Sequence, residues 1–188
     1  MFWRAITFFL VGLAAESATL TATSGQTSYS VGDNVCVNFT VSNVTDLYAF
    51  QFDVSFNPAI LSTQSVAEAG YFLSNGVSFS PGTIDNTAGS ILFIADALSG
   101  NSPSVNGSTT LVSVTFAALR SGTTTVVPRN VVLLNSQLSD ISTSAVGTSI
   151  QVSDMNHVPE AKTYGLFSMG MMMLVASRRF TSVNQKRL

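Results

Sequence analysis

The sequence predicts an all-β domain of the sandwich type, and three observations point to it. Apolar and polar residues alternate with a period of two in the clearest segments, which is typical of strands with one face in a core. Short runs of this kind follow one another at regular spacing, bracketed by Gly, Ser, Asn or Pro. Threonine, serine, valine and phenylalanine dominate the middle of the chain, in line with β-propensity, and no stretch there has an amphipathic helical period of useful length.

The two best-patterned strands lie between residues 35 and 56. The first runs from Val35 to Val41, after a turn at residues 31–33, and alternates apolar with polar side chains. The second has four large apolar side chains on one face and ends at Asn57-Pro58. These four side chains are Phe50, Phe52, Val54 and Phe56. Their size implies a thick core.

The remaining strands are less sharply patterned. One helical turn at residues 58–61 is followed by a strand at residues 63–67. Further strands are predicted at residues 76–80, 90–95, 110–117, 123–134 and 148–153, with a break at Pro128 left open. A segment of about 140 residues with this pattern is one domain, large enough to bury its own core.

The N-terminal residues have the order of a secretory signal. Arg4 precedes an apolar stretch from Ala5 to Ala15, and Ala15-Glu16-Ser17 offers small residues at the two positions that a signal peptidase reads. We expect cleavage after Ser17. Residues 1–17 are therefore predicted to be a signal peptide, with a buried N-terminal strand or helix as the alternative.

The C-terminal residues combine a short polar motif, an apolar run and a basic end. Val158-Pro159-Glu160 is followed by an apolar run from Tyr164 to Ala176 and then by Arg178-Arg179. This order resembles the PEP-CTERM tail of Gram-negative bacteria, which implies an exosortase-type processing enzyme as a partner. It also implies export to the cell surface or the extracellular matrix, and the basic end fits a stop-transfer pattern.

Two features separate this tail from the family pattern. Ala161 stands where the family has a second proline, and Lys162 where it has a small residue. The apolar run is also shorter than the roughly 20 residues with which a helix spans a bilayer. The alternative is a buried, methionine-rich C-terminal helix. With the tail as a sorting and membrane segment, the chain divides into residues 1–17, 18–156 and 157–188.

Charge and composition exclude several classes of function. Between residues 18 and 157 there are eight acidic and two basic residues and no lysine, a formal charge of −6. Nucleic-acid binding would need a basic stripe to neutralise phosphates. Cys36 is the only cysteine, so the chain has no intramolecular disulfide and no thiolate metal cluster. Its place in a strand predicts an inert, packed thiol, with pairing between chains left open.

The sequence lacks the residue combinations of the common enzyme classes. His157 is the only histidine and lies beside the sorting motif, which argues against Ser-His-Asp and Cys-His arrangements. Asp53, Asp85 and Asp96 could meet as glycosidase carboxylates, but no supporting constellation accompanies them. The sequence has no phosphate-binding glycine loop and no EF-hand calcium loop. We therefore expect a non-catalytic protein with no cofactor and no bound metal.

Several segments follow, in order, the pattern of a known family. They are Ser30-Val31-Gly32-Asp33, Ser42-Asn43-Val44, the strand from Phe50 to Phe56 with its Asn57-Pro58 end, Leu111 to Phe116, and Ser121-Gly122-Thr123-Thr124. Together they resemble a cohesin domain, and the resemblance covers nearly the whole segment between the two ends. It implies a non-catalytic jelly-roll sandwich of about nine strands that binds a small calcium-loaded partner, the dockerin.

The resemblance also indicates where a partner would bind. In cellulosomal cohesins the dockerin is recognised by the outward face that includes the aromatic strand, with an Asn and an Asp near its start. Ala49 and Gln51 occupy those two positions here. The outward residues Gln51, Asp53 and Ser55 are the candidates for a different recognition face, and the alternative is that they are simply solvated strand residues.

Two functional classes remain open. One is a protein-interaction module of the cell surface or matrix, and the other is a carbohydrate-binding module associated with exopolysaccharide or with polysaccharide degradation. A glycan platform needs exposed aromatic rings, for which the candidates are Tyr29, Tyr48, Tyr71, Phe72 and Phe79. Most of these rings could equally belong to the core, which favours the protein-interaction class.

Overall fold

The computed structural model describes residues 17–100 and 102–154, and over these residues the protein forms ten β-strands and one short helix. The elements are β1 (Ala18–Ser24), β2 (Ser28–Ser30), β3 (Asn34–Ser55), β4 (Leu61–Glu68), α1 (Phe72–Asn75), β5 (Thr83–Asp85), β6 (Ser90–Ala97), β7 (Val105–Ala118), β8 (Gly122–Asn135), β9 (Thr143–Val146) and β10 (Thr148–Ser153). The all-β sandwich predicted from the sequence is confirmed, with ten strands where about nine were expected.

The strands form two layers that share β3. One layer has the order β9-β1-β3-β7-β4, and the other has the order β5-β6-β3-β8-β10-β2. Neighbouring strands are antiparallel except for two pairs, β1 with β9 and β2 with β10, which are parallel. The N-terminal part of β3 pairs with β1 and most of β7, whereas residues 47–55 pair with β6 and β8.

The two strands predicted at residues 35–41 and 50–56 are therefore one strand of 22 residues. Its pairing with β7 shifts register between Val41 and Val44 and again between Val44 and Leu47. Asn43 and Asp46 have φ values of 55° and 61° at these two irregularities. Asn and Asp adopt this left-handed conformation more readily than other L residues. The two bulges bend β3 so that it can leave one layer and enter the other.

The core confirms the alternation read from the sequence. Every second residue of β3 is buried, from Val35 to Val41 and again from Phe50 to Val54, and Phe56 just beyond the strand is buried as well. Phe39 and Phe52 connect the two halves of β3, with ring centroids 5.2 Å apart. Phe50 meets Phe72 of α1 edge-on at 5.0 Å. The bend in β3 thus brings the apolar faces of the two layers together.

Other predicted elements differ from the structure. The strand predicted at residues 76–80 is wrong, since α1 precedes it and only single bridges join Gly76 to Leu98 and Ser80 to Ala95. Pro128 does not break β8; it pairs with Val54, and the irregularity falls just beyond it, where Asn130 has a φ of 49°. The sequence analysis missed four strands: β1, β2, β5 and β9.

The two ends of the chain lie largely outside the described residues. This applies to the predicted signal peptide up to residue 16 and to the sorting motif, Val158, Pro159, Glu160, Arg178 and Arg179. Within residues 17–100 and 102–154, no helix has the length and apolar character needed to cross a membrane.

Candidate interaction face

The predicted site residues Gln51, Asp53 and Ser55 lie on the outward side of β3, where it runs between β6 and β8. Their side chains are half-buried, because neighbouring strands flank them on both sides. We call this surface the β6-β3-β8 face. Three cross-strand rows define it: Ala97-Ala49-Leu134, Ala95-Gln51-Val132 and Ser90-Ser55-Val127. A fourth row, between the last two, has Asp53 at its centre.

The Asp53 side chain accepts hydrogen bonds from two bulges, one on each side of β3. On β6, Leu92 and Phe93 are inserted between Ile91 and Ile94, which pair with Val54 and Phe52. The backbone N–H of Phe93 donates to Asp53 Oδ1 at 2.8 Å. On β8, the irregularity beyond Arg129 brings Asn130 Nδ2 to Asp53 Oδ2 at 2.7 Å. Both carboxylate oxygens therefore have protein partners.

These hydrogen bonds correct one expectation from the sequence. Alternation alone predicts that Asp53 and Ser55 are free, solvated side chains. Instead, Asp53 fixes the shape of the face, and the Ser55 hydroxyl accepts a hydrogen bond of 2.8 Å from Arg129 Nε. Gln51 is the one of the three candidates whose side chain makes no hydrogen bond within the described residues. It remains available for a partner.

Apolar side chains surround this polar centre. Leu92, Phe93 and Val132 are exposed, and so is Val77, whose backbone N–H donates to the carbonyl oxygen of Ala97 and so extends the first row. The middle of the face is flat because Ala49, Ala95 and Ala97 present only methyl groups. Exposed apolar groups clustered on one sheet are a common mark of a protein-binding surface.

Phe93 is the most unusual residue of the face. Its φ is 64°, and its side chain is 56% exposed. A bulky residue in the left-handed region is strained, and an exposed ring gains little from packing, so the combination points to a function. The sequence analysis missed Phe93. The available signal was the unbroken apolar run Ile91-Leu92-Phe93-Ile94, which interrupts the alternation and so indicates a bulge.

The other sequence-predicted residues lie elsewhere. Among the candidate platform rings, Phe72 is fully buried, and the rest are partly buried against the core: Tyr29, Tyr48, Tyr71 and Phe79. Cys36, expected to be a packed thiol, is exposed on the solvent side of β3. Asp53, Asp85 and Asp96 are not brought together: Asp53 and Asp85 are on the outside, and Asp96 is buried.

The described residues contain no group of three or more His, Cys, Asp or Glu side chains that could hold a metal ion. What the arrangement can do is present a flat surface. Its centre offers the Gln51 amide as donor and acceptor, its rim offers the Arg129 side chain, and its edges offer apolar contact. Fold and face together define a β-sandwich module with one flat, partly apolar sheet surface.

A family model described as the cohesin domain matches residues 20–152. The chain therefore belongs to the cohesin domain family. Cellulose-binding protein A of Clostridium cellulovorans is 25% identical to it over 153 residues, which are 79% of this chain. The chain spans only 8% of the length of that relative.

Solved structures show the same fold. A type II cohesin domain from the cellulosome of Acetivibrio cellulolyticus has a TM-score of 0.59 and 19% identity, covering 72% of this chain and 95% of that one. A type II cohesin from a complex with an X-dockerin of the same organism has a TM-score of 0.57 and 17% identity, covering 73% of this chain and 100% of that one. At these identities the likeness bears on the fold alone.

Proposed function

We propose that this protein is a non-catalytic, exported module that docks a dockerin-type protein through the β6-β3-β8 face. Membership of the cohesin family supports protein binding as the function. One of the solved cohesins is seen in a complex with a dockerin, which suggests the class of partner. The partner itself should be specific to this face, since Ala49 and Gln51 replace the polar pair of cellulosomal cohesins. We expect ordinary cellulosomal dockerins to bind weakly or not at all.

The observation that carries the proposal is the exposure of Phe93. It stands beside Asp53 at the centre of the face, in a conformation that an asparagine or glycine would adopt with less strain. Binding hot spots are typically large aromatic side chains that become buried by the partner. Docking would bury the Phe93 ring together with Leu92 and Val132, and would exclude water from Gln51.

We also propose export and surface sorting for this protein. The signal-like residues 1–17 support secretion, and the sorting motif with Arg178-Arg179 supports processing by an exosortase-type enzyme in a Gram-negative bacterium. The apolar residues between the motif and the arginines would anchor the chain to the membrane, at least transiently. The binding module would then face the outside of the cell, where cell-surface and secreted proteins are its available partners.

Capture by the immobilised protein tests the docking proposal. The native chain, Phe93→Asn and Leu138→Asn would each be exposed to surface and secreted proteins. Leu138 is the matched control because it is an apolar residue with a φ of 59° and 66% exposure in the turn after β8, outside the four rows. We expect Phe93→Asn to weaken capture at least about tenfold, as loss of a hot-spot residue does. Leu138→Asn should capture as the native chain does.

Stability measurements keep this test interpretable. Asparagine fits the left-handed conformation at both positions, so neither substitution should lower the free energy of unfolding. The captured protein should carry a dockerin. Undiminished capture by Phe93→Asn would place the interface elsewhere on the module. Binding of purified exopolysaccharide without any protein partner would favour the carbohydrate-binding alternative, which has Phe93 as its single exposed ring among the described aromatic residues.

A further inference from the structure

A pair of acidic residues joins the two layers at one end of the sandwich, away from the β6-β3-β8 face. Glu68 is the last residue of β4, in the first layer, and Asp96 lies near the end of β6, in the second. Asp96 points into the sandwich, opposite Phe50 on β3, and is only 3% exposed. The segment that covers the two carboxyl groups contains α1 and Gly76.

The two carboxyl groups face each other with one oxygen each. Asp96 Oδ1 accepts hydrogen bonds from the backbone N–H groups of Ser78 and Ala97, both at 2.9 Å or less. Asp96 Oδ2 and Glu68 Oε1, in contrast, are buried and receive no hydrogen bond from a donor in the described residues. Both lie against Gly76: a Cβ at that position would be 2.6 Å from Glu68 Oε1 and closer still to Asp96 Oδ2.

No opposite charge accompanies the pair in the described part of the chain. The elements around it are β4, β6, β7 and α1, and their only charged side chains are Glu68 and Asp96 themselves. On β3, Asp46 is hydrogen-bonded to Ser136 and Asp53 is on the outer face. The Tyr71 hydroxyl donates to the carbonyl oxygen of Pro103. Arg129 is on the outer face beside Ser55.

A buried carboxylate pair without a cation is strongly unfavourable, and the usual solution is that one group keeps its proton. Two acceptor oxygens can bond to each other only when one of them carries a hydrogen. A divalent cation is the other solution, but calcium needs six to eight oxygen ligands. The described residues provide no third acidic or histidine ligand.

We propose that Glu68 and Asp96 share one proton, and that this proton fastens β4 to β6 as a pH-sensitive clasp under the segment Tyr71–Ser80. When the proton is present, the Glu68 carboxyl donates to the Asp96 carboxylate, and the two layers are joined at this end. When it is lost, two negative charges face each other with no positively charged side chain on the surrounding elements of the described residues. The covering segment then opens to let water reach the oxygens.

The direction of the pH effect follows from the ionisation of Glu68. Burial, followed by the hydrogen bond with Asp96 and its charge, raises the pKa of Glu68 from 4.5 to about 7. The closed form therefore binds the proton more tightly than an open, solvated form. The free energy by which the proton stabilises the closed form is fully present below pH 4.5. It decreases as the pH rises towards 7 and stays nearly constant above that. The segment should loosen as an acidic medium becomes neutral.

Amide hydrogen exchange of the whole chain tests this proposal. The informative amides are those of Gly76, which bonds to the Phe72 carbonyl, and Ser78, which bonds to Asp96. After correction for the intrinsic exchange rate, we expect the opening of this segment to increase about tenfold or more between pH 5 and pH 7 and to level off above pH 7.5. Protection of the amides that pair β8 with β10, two strands outside the elements around the acidic pair, should not change over this range.

Two isosteric variants and one control sharpen the test. Glu68→Gln and Asp96→Asn each retain a donor for the facing carboxylate, so both should show low opening that no longer depends on pH. Asp140→Asn changes an exposed carboxyl and should behave as the native chain does. The proposal would be overturned if the opening of this segment in the native chain did not change with pH. It would also be overturned if the same segment were largely open at pH 5 in Glu68→Gln. So would protection at pH 7.5 that appears only when millimolar CaCl₂ is added, since the clasp would then be a cation.

Discussion

At the scale of single residues, Phe52 and Phe93 show how position decides the role of the same side chain. Phe52 is completely buried, and its ring is tilted against those of Phe39 and Phe50, with centroid distances of 5.2 Å and 5.9 Å. Phe93 has a comparable ring that is mostly exposed to solvent, and its backbone has the left-handed conformation that a bulky side chain disfavours. The first residue stabilises the fold. The second gains little from packing, and we take its role to be binding.

We predict that Phe52→Ala lowers the free energy of unfolding by about 3–5 kcal/mol, because it leaves a cavity where β3 crosses between the layers. Denaturant unfolding of the native and substituted chains measures the difference. Leu119→Ala is the matched control, since Leu119 is half exposed and its truncation should change stability by about 0.5 kcal/mol or less. A loss under about 1 kcal/mol for Phe52→Ala would be incompatible with a closely packed ring at this position.

At the scale of elements, the face depends on a carboxylate that joins three strands. Asp53 connects the bulge of β6 with the irregular part of β8, and a side chain that served only for solubility would not accept two bonds of 2.8 and 2.7 Å. A charge reversal at position 53 is therefore a test of folding as well as binding. Gln51 is the better position for a substitution that probes the partner alone.

We predict that Asp53→Ala lowers the free energy of unfolding by about 1–3 kcal/mol, because the Phe93 N–H and the Asn130 amide lose their acceptor. The neighbouring substitution Gln51→Ala serves as its control and should be close to neutral. Denaturant unfolding again measures both. Equal stability of the two variants would mean that the bulges hold their shape without Asp53.

Much of β3 could be predicted from the sequence, because a period of two survives wherever one side of a strand faces a core. What could not be predicted is that Val35–Val41 and Phe50–Phe56 belong to one strand. The intervening bulges at Asn43 and Asp46 change the phase locally, and polar residues between two patterns look the same as a loop. The strands β2 and β5 were missed for a different reason: three residues are too few to show any period.

The interaction face was only partly accessible to sequence reasoning. Alternation assigns Gln51, Asp53 and Ser55 to the outer side of β3 correctly. The residues of β6 and β8 that pair with this part of β3 are 35 to 88 residues away in the sequence. The grouping of Leu92, Phe93 and Val132 on one face therefore emerges only from the cross-strand register. The Glu68–Asp96 pair was hidden in the same way, because each residue alone reads as a solvated acid.

At the scale of the whole molecule, the first described strand begins where the mature protein is expected to begin. Ala18 opens β1, is buried, and donates its backbone N–H to the Ser142 carbonyl at 3.0 Å. We predict that the protein recovered from outside the inner membrane begins at or near Ala18, because the residues before it have the order of a signal peptide. N-terminal sequencing measures this directly, and Met1 on cytoplasmic protein would contradict it.

The position of β10 has a mechanical consequence. The described domain ends at Asp154, immediately after β10, which is held by five residue pairs with β8 and three with β2. Tension on the chain beyond Asp154 acts along β10 and loads these bonds in shear, so they must yield together. β8 also carries Val132, on the face where a partner would sit. Force between that partner and the chain beyond Asp154 would reach β10 through β8, so it would load the β8–β10 pairing, whose strength is separate from the affinity of the face.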